Sequence, residues 1–186
     1  MAYGFLIDTS RCYGCKTCAV ACAFGHDLPL GVLQRHVREY VQQKPPGQAF
    51  LSIGCNHCDK PSCIAACPVR AYSLDDVTGL VVQNHTLCIG CKACIDACPF
   101  RVPVYYETEA TVYKCDGCTA RVAKGLDPIC VATCPANALQ AGDYRELLTA
   151  NPDAYEAKAH ISTAPNLAIR FTHPLNPGSL TEDAGN

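Results

Sequence analysis

The chain has 186 residues, sixteen of them cysteine, and a formal net charge of −2. Cysteine at about 9% of the chain indicates a scaffold held by disulfides or metal rather than by an ordinary apolar core. No basic stripe with interleaved aromatic residues is present, so we expect no nucleic-acid partner. No apolar run approaches the ~20 residues that span a bilayer, and "MAYGFLIDTSRCYGC" leaves no room for a signal peptide. We therefore expect no direct membrane span.

The predicted elements alternate with groups of cysteines from the start of the chain. A strand over "YGFLID" is followed by a short helix within "KTCAVACAFGH". Residues 23–54 contain a strand at "HVREYV" and a loop at "KPPG". For this segment we favour a simple connector over a partner contact.

The middle of the chain predicts hairpins and the end predicts an extended tail. Residues 71–74 and 80–82 form two strands joined by a turn at 75–79, the pattern that links the halves of a two-cluster ferredoxin. "VYYETEATVYKCDGC" supplies further strands, and "CTARVAKG" a short helix. After residue 139, "DYRELLTANPDAYEAKAH" has helical stretches broken by Pro152, and later prolines favour extended chain.

The cysteines form four groups of four. Group one is Cys12, Cys15, Cys18 and Cys22; group two is Cys55, Cys58, Cys63 and Cys67; group three is Cys88, Cys91, Cys94 and Cys98; group four is Cys115, Cys118, Cys130 and Cys134. Groups one and three are spaced C-x2-C-x2-C-x3-C, group two has a wider middle gap, and group four carries an eleven-residue insertion. Proline follows the last cysteine of groups two, three and four.

Three kinds of site compete for this pattern. Disulfides are disfavoured because cysteines in C-x2-C pairs rarely bridge without strain. Zinc sites draw two cysteines from each of two knuckles, whereas three arrive together here on one short loop. Iron–sulfur clusters fit best, because three close cysteines ligate one cluster while the fourth, turned away by proline, ligates the other cluster of a pair.

Other residue types within the groups support this interpretation. A glycine precedes the second cysteine in three groups, at Gly14, Gly90 and Gly117, where positive φ lets backbone amides approach cluster sulfur. His57 is a candidate iron ligand or potential-tuning group, although a solvated or sulfur-bonding histidine is favoured. Four lysines lie beside cluster cysteines and either raise cluster potentials or are simply solvated: Lys16, Lys60, Lys92 and Lys114.

Crosswise donation of each fourth cysteine, with groups one and four paired and groups two and three paired, gives four sites. They are site I (Cys12, Cys15, Cys18 and Cys134), site II (Cys22, Cys115, Cys118 and Cys130), site III (Cys55, Cys58, Cys63 and Cys98) and site IV (Cys67, Cys88, Cys91 and Cys94). We expect iron bound through all sixteen cysteines as four [4Fe-4S] clusters.

The predicted fold is α+β, with two interleaved bacterial-ferredoxin-like 2[4Fe-4S] modules of short strands and helices and an extended C-terminal tail. Residues 55–99 form the inserted module, from groups two and three. Residues 1–54 and 100–145 form the other module, whose strands come from "YGFLID" and "VYYETEATVYKCDGC". Residues 146–186 form a C-terminal extension that docks on a partner subunit.

No catalytic constellation is visible in the sequence. A Gly-rich dinucleotide fingerprint, a P-loop and a nucleophile elbow are all missing. We therefore assign no catalytic residue and interpret the chain as a row of redox centres that transfers electrons. A zinc-stabilised binding module without redox work is the alternative from a different class.

Four stretches carry a family resemblance: "YGFLIDTSRCYGCKTCAVAC", "SIGCNHCDKPSCIAACP", "CIGCKACIDACPF" and "KCDGC…PICVATCP". They resemble the four-cluster iron–sulfur (B) subunit of the dimethyl sulfoxide reductase family of molybdopterin oxidoreductases. The resemblance implies two partners, a molybdopterin-containing catalytic subunit facing site I and an integral membrane quinol-binding subunit facing site IV. In the related nitrate reductase subunit a tryptophan matches Cys91 and the cluster has three irons, so cysteine here implies four.

The implied function is electron transfer between quinol and the molybdenum site in anaerobic respiration. The implied location is the membrane, as part of a complex, either at the periplasmic face by co-export with the catalytic subunit or at the cytoplasmic face. The alternative is a soluble polyferredoxin that serves a formate dehydrogenase, hydrogenase or aldehyde oxidoreductase.

Overall fold

The computed structural model describes residues 2–42, 47–157, 161–171 and 181–182. The structure is α+β, as predicted, with short helices and strands between the cysteine groups. The helices are α1 (Thr17–Gly25), α2 (Ser62–Ala66), α3 (Ala93–Ala97), α4 (Thr119–Val122), α5 (Ile129–Ala132) and α6 (Tyr144–Ala150). The strands are β1 (Tyr3–Asp8), β2 (His36–Gln42), β3 (Gly47–Ile53), β4 (Tyr72–Leu74), β5 (Val81–Gln83), β6 (Val104–Tyr106), β7 (Thr111–Tyr113), β8 (Leu139–Asp143), β9 (Tyr155–Glu156), β10 (Leu167–Arg170) and β11 (Thr181–Glu182).

The first strand forms the middle of a four-stranded sheet with the order β8-β1-β10-β9. It pairs antiparallel with β8, where Tyr3 lies opposite Asp143, and parallel with β10, where Phe5 lies opposite Leu167. Its run of apolar side chains suits this position, because a central strand that is covered on both faces needs no polar alternation. The strand predicted at "YGFLID" is confirmed.

The two faces of this sheet bury different partners. Phe5 and Ile7 pack into the main core together with Leu139, Leu167 and several cysteines. On the opposite face, Leu6 packs against Tyr144 of α6 and Ala168. The period of two along a strand explains the alternation. The core that supports the cysteines is therefore continuous with the sheet.

The segment between groups one and two folds back on itself. Strands β2 and β3 pair antiparallel, and β11 adds a third strand at Tyr40 and Val41. The strand at "HVREYV" is confirmed, but β3 was not predicted. The loop predicted at "KPPG" lies outside the described residues except for Gly47, which begins β3.

Two further pairs of strands form separate two-stranded hairpins. The hairpin β4–β5 matches the predicted strands at 71–74 and 80–82, and β6–β7 lies within "VYYETEATVYKCDGC". The sequence pattern predicts that β6–β7 belongs to the module of groups one and four. Its Val112 instead packs with Tyr72, Val81 and Cys94, which belong to the segment of groups two and three. By packing, the hairpin lies on that side of the molecule.

The segment after residue 143 closes the central sheet. The carboxylate of Asp143 caps α6 by accepting hydrogen bonds from the backbone N–H groups of Arg145 and Glu146. The helix ends ahead of Pro152, as predicted. Strand β10 then pairs with β1, so much of the predicted C-terminal extension belongs to this chain's own core up to Arg170. The extended tail predicted beyond it falls mostly outside the described residues.

None of the helices within the described ranges has both the length and the apolar character required to cross a bilayer.

Candidate iron–sulfur centres

Short helices position the cysteines, and the backbone turns sharply at both of their ends. Lys16, Lys92 and Cys118 adopt left-handed conformations immediately before α1, α3 and α4. At the other end, Cys67 and Cys98 are extended because each precedes a proline, and the residue before proline disfavours helix. The fourth cysteine of groups two and three is thereby directed away from its own loop.

The glycines before the second cysteines have the predicted positive φ, which is +75° at Gly14, +65° at Gly90 and +71° at Gly117. Close packing is a second reason for glycine at these three positions. A Cβ would come within 2.7 Å of the Phe50 ring at Gly14 and would collide with the Ala110 carbonyl oxygen at Gly90. At Gly117 it would come within 2.8 Å of Leu80. These loops are covered closely by other parts of the chain.

Sites I and IV each surround a small cavity. The first is lined by all four cysteines of site I, Cys12, Cys15, Cys18 and Cys134. The second is lined by all four cysteines of site IV, Cys67, Cys88, Cys91 and Cys94. In both cases the fourth thiol comes from the other group of the pair. The expected three-plus-one arrangement is thus present in the geometry of these two sites.

The thiols assigned to sites II and III influence one another's pKa. Burial raises the pKa of Cys22, and further increases come from the thiols of Cys115, Cys130 and Cys118. In site III, burial raises the pKa of Cys63 to about 12, and the neighbouring thiols of Cys55, Cys98 and Cys58 act in the same direction. These mutual effects are what the predicted membership of sites II and III requires.

This environment suits a positively charged metal centre. All sixteen cysteines are free thiols, so none is committed to a disulfide. Burial and mutual repulsion raise the pKa of several crowded thiols, for example to about 12 at Cys118 and about 11 at Cys58. At Cys55 burial also acts to raise the pKa, but His57 and Lys114 outweigh it and lower the pKa to about 5. Cationic iron between them would stabilise the thiolate forms that metal ligation requires. The donor set and its crowding fit [4Fe-4S] clusters.

Hydrogen-bond donors surround the sulfur atoms. The backbone N–H groups of Ala71 and Ala138 each donate to the cysteine four residues earlier, Cys67 and Cys134, at 3.3 Å. The N–H of Gly117 donates to Cys115 at 3.3 Å. Such donors stabilise anionic sulfur and tune the potential of a cluster.

Comparison with known families supports the same chemistry. Residues 47–144 match the profile described as "4Fe-4S dicluster domain". Residues 9–25 match the "4Fe-4S binding domain". The chain is 43% identical over 183 residues to the B subunit of anaerobic dimethyl sulfoxide reductase from Escherichia coli, covering 90% of this chain and 88% of that protein. This protein belongs to the family of dimethyl sulfoxide reductase iron–sulfur (B) subunits.

Two further relatives extend the comparison. The B subunit of anaerobic dimethyl sulfoxide reductase from Haemophilus influenzae is 38% identical, with 90% of this chain and 88% of that protein covered. The B subunit of tetrathionate reductase from Salmonella typhimurium is 36% identical over 149 residues, covering 77% of this chain and 59% of that protein. As a member of this family, the chain is a 4Fe-4S electron-transfer subunit of a reductase complex and is not catalytic alone.

His57 of this iron–sulfur subunit is buried rather than solvated. It is 1% exposed, and its Nδ1 accepts a hydrogen bond from the Val81 N–H at 2.9 Å. The neutral ring therefore carries its proton on Nε2. Burial lowers the pKa of His57, but the thiols of Cys55 and Cys115 more than offset that effect and raise it. Among the described residues Nε2 has no hydrogen-bond partner, so His57 is a buried ring beside these thiols rather than a solvated or sulfur-bonded one.

The four lysines beside the cysteine groups look alike in the sequence but differ in their solvent exposure in the structure. Lys16, Lys60 and Lys92 are exposed, whereas Lys114 is 3% exposed. The Lys114 ammonium donates to Cys55 Sγ at 3.4 Å and to the Val81 carbonyl at 2.7 Å. Burial lowers the pKa of Lys114, but the thiols of Cys55, Cys115 and Cys63 raise it overall. Lys114 is therefore a buried cation at the cluster sites.

Arg35 was missed by sequence analysis, because nothing separates it from the other arginine of the same segment. It is 2% exposed and donates through Nη1 to the carbonyl and hydroxyl oxygens of Ser52, at 2.9 and 3.1 Å. The Ser52 hydroxyl in turn lies 3.2 Å from Cys18 Sγ. The segment interpreted as a connector thus contributes directly to the surroundings of site I.

His26 is a second residue that the sequence did not indicate. Its Nε2 lies 3.1 Å from Cys118 Sγ and 3.9 Å from the Asp116 carboxylate. The left-handed turn at Cys118 and the C-terminal end of α1 create this contact, which no sequence spacing reveals. His26 therefore belongs to the immediate surroundings of site II.

Proposed function

We propose that this subunit carries electrons through four [4Fe-4S] clusters, from a membrane quinol-oxidising subunit to a molybdopterin catalytic subunit. The complex would resemble dimethyl sulfoxide reductase and serve anaerobic respiration. The observation that carries the proposal is the presence of four separate sets of four thiols. Similarity to the dimethyl sulfoxide reductase B subunit over 90% of the chain supports the choice of complex. When bound, each cluster supplies a one-electron redox centre.

We assign the ligands by site. Cys12, Cys15, Cys18 and Cys134 hold the cluster of site I, and Cys22, Cys115, Cys118 and Cys130 hold that of site II. Cys55, Cys58, Cys63 and Cys98 hold the cluster of site III, and Cys67, Cys88, Cys91 and Cys94 hold that of site IV. The cavities lined by the first and last sets support this assignment.

The chain is proposed to consist of two interleaved 2[4Fe-4S] modules. Helix α1 of group one packs against α5 of group four, and α2 of group two packs against α3 of group three. These contacts support an inserted module at residues 55–99 within a module formed by residues 1–54 and 100–145. The contacts of Val112 favour extending the inserted module to include β6–β7. Residues 146–186 are then a C-terminal extension that β10 anchors to the sheet.

The ends of the electron-transfer chain are assigned to sites I and IV. The two exposed cysteines are Cys15 in site I and Cys91 in site IV. An exposed ligand brings a cluster near the protein surface, where a partner's redox centre can approach. Site I would face the catalytic subunit and site IV the membrane subunit. This arrangement implies a membrane-associated complex at the periplasmic or the cytoplasmic face.

Iron and acid-labile sulfide analysis of the anaerobically purified complex tests the proposal, together with EPR after dithionite reduction. We expect about sixteen irons in this subunit and broad, coupled signals of reduced clusters. Far fewer irons, or a prominent three-iron signal, would mean that at least one set of four cysteines does not hold a [4Fe-4S] cluster. Zinc without sulfide would instead identify a metal-stabilised binding module.

Co-purification distinguishes the respiratory complex from a soluble polyferredoxin. The proposal predicts a tight complex with a pterin-containing subunit and a membrane subunit that exchanges electrons with quinol. Recovery of a fully loaded chain without either subunit would favour the polyferredoxin.

A further inference from the structure

Two buried cations lie at the boundaries between proposed cluster sites. Among the described residues, Arg35 and Lys114 are the buried side chains that carry a permanent or near-permanent positive charge. Lys114 hydrogen-bonds to cysteines of two proposed sites, and Arg35 is linked through Ser52 to Cys18 of site I. Neither the match to ferredoxin domains nor the sequence pattern assigns them a role.

Arg35 lies between sites I and II. Ser52 links it to Cys18 of site I, because the serine hydroxyl contacts both the guanidinium and the thiol. Phe5, over whose ring the guanidinium lies, packs in the same core cluster as Cys115 and Cys130 of site II. Burial lowers the pKa of Arg35, but Cys130, Cys115, Cys18 and Cys22 raise it overall. Stacking over the ring of Phe5, with 5.6 Å between Cζ and the centroid, helps to hold the guanidinium in place.

Lys114 lies between sites II and III. Its ammonium donates to the Sγ of Cys55, a ligand of site III, and to the backbone carbonyl of Cys115, a ligand of site II. A third donation, to the carbonyl of Val81, uses the remaining N–H group. All three donors of the ammonium are satisfied, so its position is well defined.

Site II is therefore flanked by both cations, and site IV by neither. Near site IV the described donors are neutral, including the Tyr72 hydroxyl, which donates to Cys94 Sγ at 3.3 Å. The lysine beside site IV, Lys92, is exposed and lies over the Tyr105 ring. Water and salt screen such a charge, whereas a buried charge is screened much less.

We propose that Arg35 and Lys114 raise the reduction potential of the cluster at site II by placing a buried positive charge at each of its boundaries. Reduction adds one electron, received from the neighbouring site in the row of clusters, and so increases the negative charge there. Two fixed cations favour that reduced form. The inference rests on the proposed function, because it requires clusters at sites I to III.

An EPR-monitored redox titration of the anaerobically purified complex tests this role. The variants are Arg35→Gln and Lys114→Gln, which remove charge, and Arg35→Lys and Lys114→Arg, which retain it. Lys60→Gln is the matched control, because Lys60 lies beside site III cysteines but is exposed. Iron content is measured for every preparation. Missing clusters in the unmodified complex would count against the proposed function, and altered potentials in loaded variants bear on this inference alone.

Arg35→Gln is expected to shift two components of the titration, those of sites I and II. Lys114→Gln is expected to shift those of sites II and III, so that one component moves in both variants. For that component, the ratio of reduced to oxidised cluster at fixed ambient potential should fall about tenfold, which is about 59 mV for a one-electron couple. The charge-retaining variants should stay near the unmodified curve, and Lys60→Gln should leave it unchanged.

Three results would overturn the proposal. The first is an unchanged titration in a fully loaded Gln variant. The second is the absence of a component that moves in both Gln variants. The third is an equal effect, on potential or on iron content, of the charge-removing and charge-retaining variants, because this would indicate a packing role. Loss of the cluster only in the Gln variants would support a requirement for positive charge.

Discussion

The two proposed sites II and IV differ in how deeply their thiols are buried and in which core they belong to. All four thiols of site II are buried, and its cysteines come from positions 22 to 130 of the chain. Site IV has a single buried cysteine, Cys94, and one that is exposed, Cys91, and it is built from residues 67 to 94. Site II is part of the main core, whereas site IV depends on a local loop and a small satellite core. The thiols of site II are therefore shielded from solvent, whereas site IV is accessible at Cys91.

The largest difference is expected when one ligand of each site is replaced. Cys130→Ser should remove the cluster of site II and lower the free energy of unfolding by more than about 4 kcal/mol, because Cys130 lies in the main core beside the central sheet. Cys91→Ser should remove or convert only the cluster of site IV, since Cys91 is exposed. Iron content measures the loss of each cluster, and the yield of assembled complex reports the loss of stability. Equal yields of the two variants would contradict this contrast.

Glycine substitutions test how closely the loop of site IV is covered. Gly90→Ala should lower the free energy of unfolding by about 2–4 kcal/mol, because a Cβ would collide with the backbone of Ala110 in addition to the cost of positive φ. Gly125→Ala is the control, with a φ of +72° and, among the described residues, no atom within 4 Å of the added Cβ, and should cost about 1 kcal/mol. Thermal unfolding of the complex distinguishes them. Similar midpoints would show that the Gly90 loop moves freely.

A smaller effect is expected from the neutral donor at site IV. Tyr72→Phe removes the hydrogen bond to Cys94 Sγ and should lower the site IV potential, reducing the ratio of reduced to oxidised cluster about fivefold. Tyr113→Phe is a suitable control, because that hydroxyl donates to Glu109 instead. Redox titration followed by EPR provides the measurement. A shift in the control that matches the one in Tyr72→Phe would argue against a direct effect.

The smallest effect is expected at Lys92. Its ammonium lies 3.8 Å from the centroid of Tyr105, an exposed cation–π contact worth about 0.5–1 kcal/mol. Lys92→Gln should lower the unfolding midpoint slightly and leave the potential of site IV nearly unchanged, because solvent and salt screen an exposed charge. A shift in potential as large as that expected for Arg35→Gln would contradict the expectation that only buried cations change a cluster potential.

Local patterns predicted much of the fold. The strand at "YGFLID" and the hairpin between groups two and three were correct because both signals are contained in a few residues. The grouping of thiols followed from cysteine spacing and the chemistry of cluster ligation. The strand and the hairpin are each encoded in one short segment. The grouping of thiols follows from the rule that three close cysteines bind one cluster and the fourth binds another.

Long-range packing accounts for what the sequence did not reveal. Strand β10 pairs with β1 across about 160 residues, and no local signal identifies the partner of a short apolar strand. Lys114 resembles Lys92 in the sequence, and only tertiary contacts bury one of them. Arg35 was overlooked for the same reason. The charges that distinguish site II from site IV are thus a product of tertiary structure.

The position of β1 between β8 and β10 has a consequence for the order of events during synthesis. The first strand emerges from the ribosome long before either of its neighbours, so it stays without its sheet partners until residues 139–170 have been made. All ligands proposed for sites III and IV, in contrast, are complete once Cys98 has been synthesised. The ligands proposed for sites I and II, which include the N-terminal thiols, are complete only once Cys134 has been made.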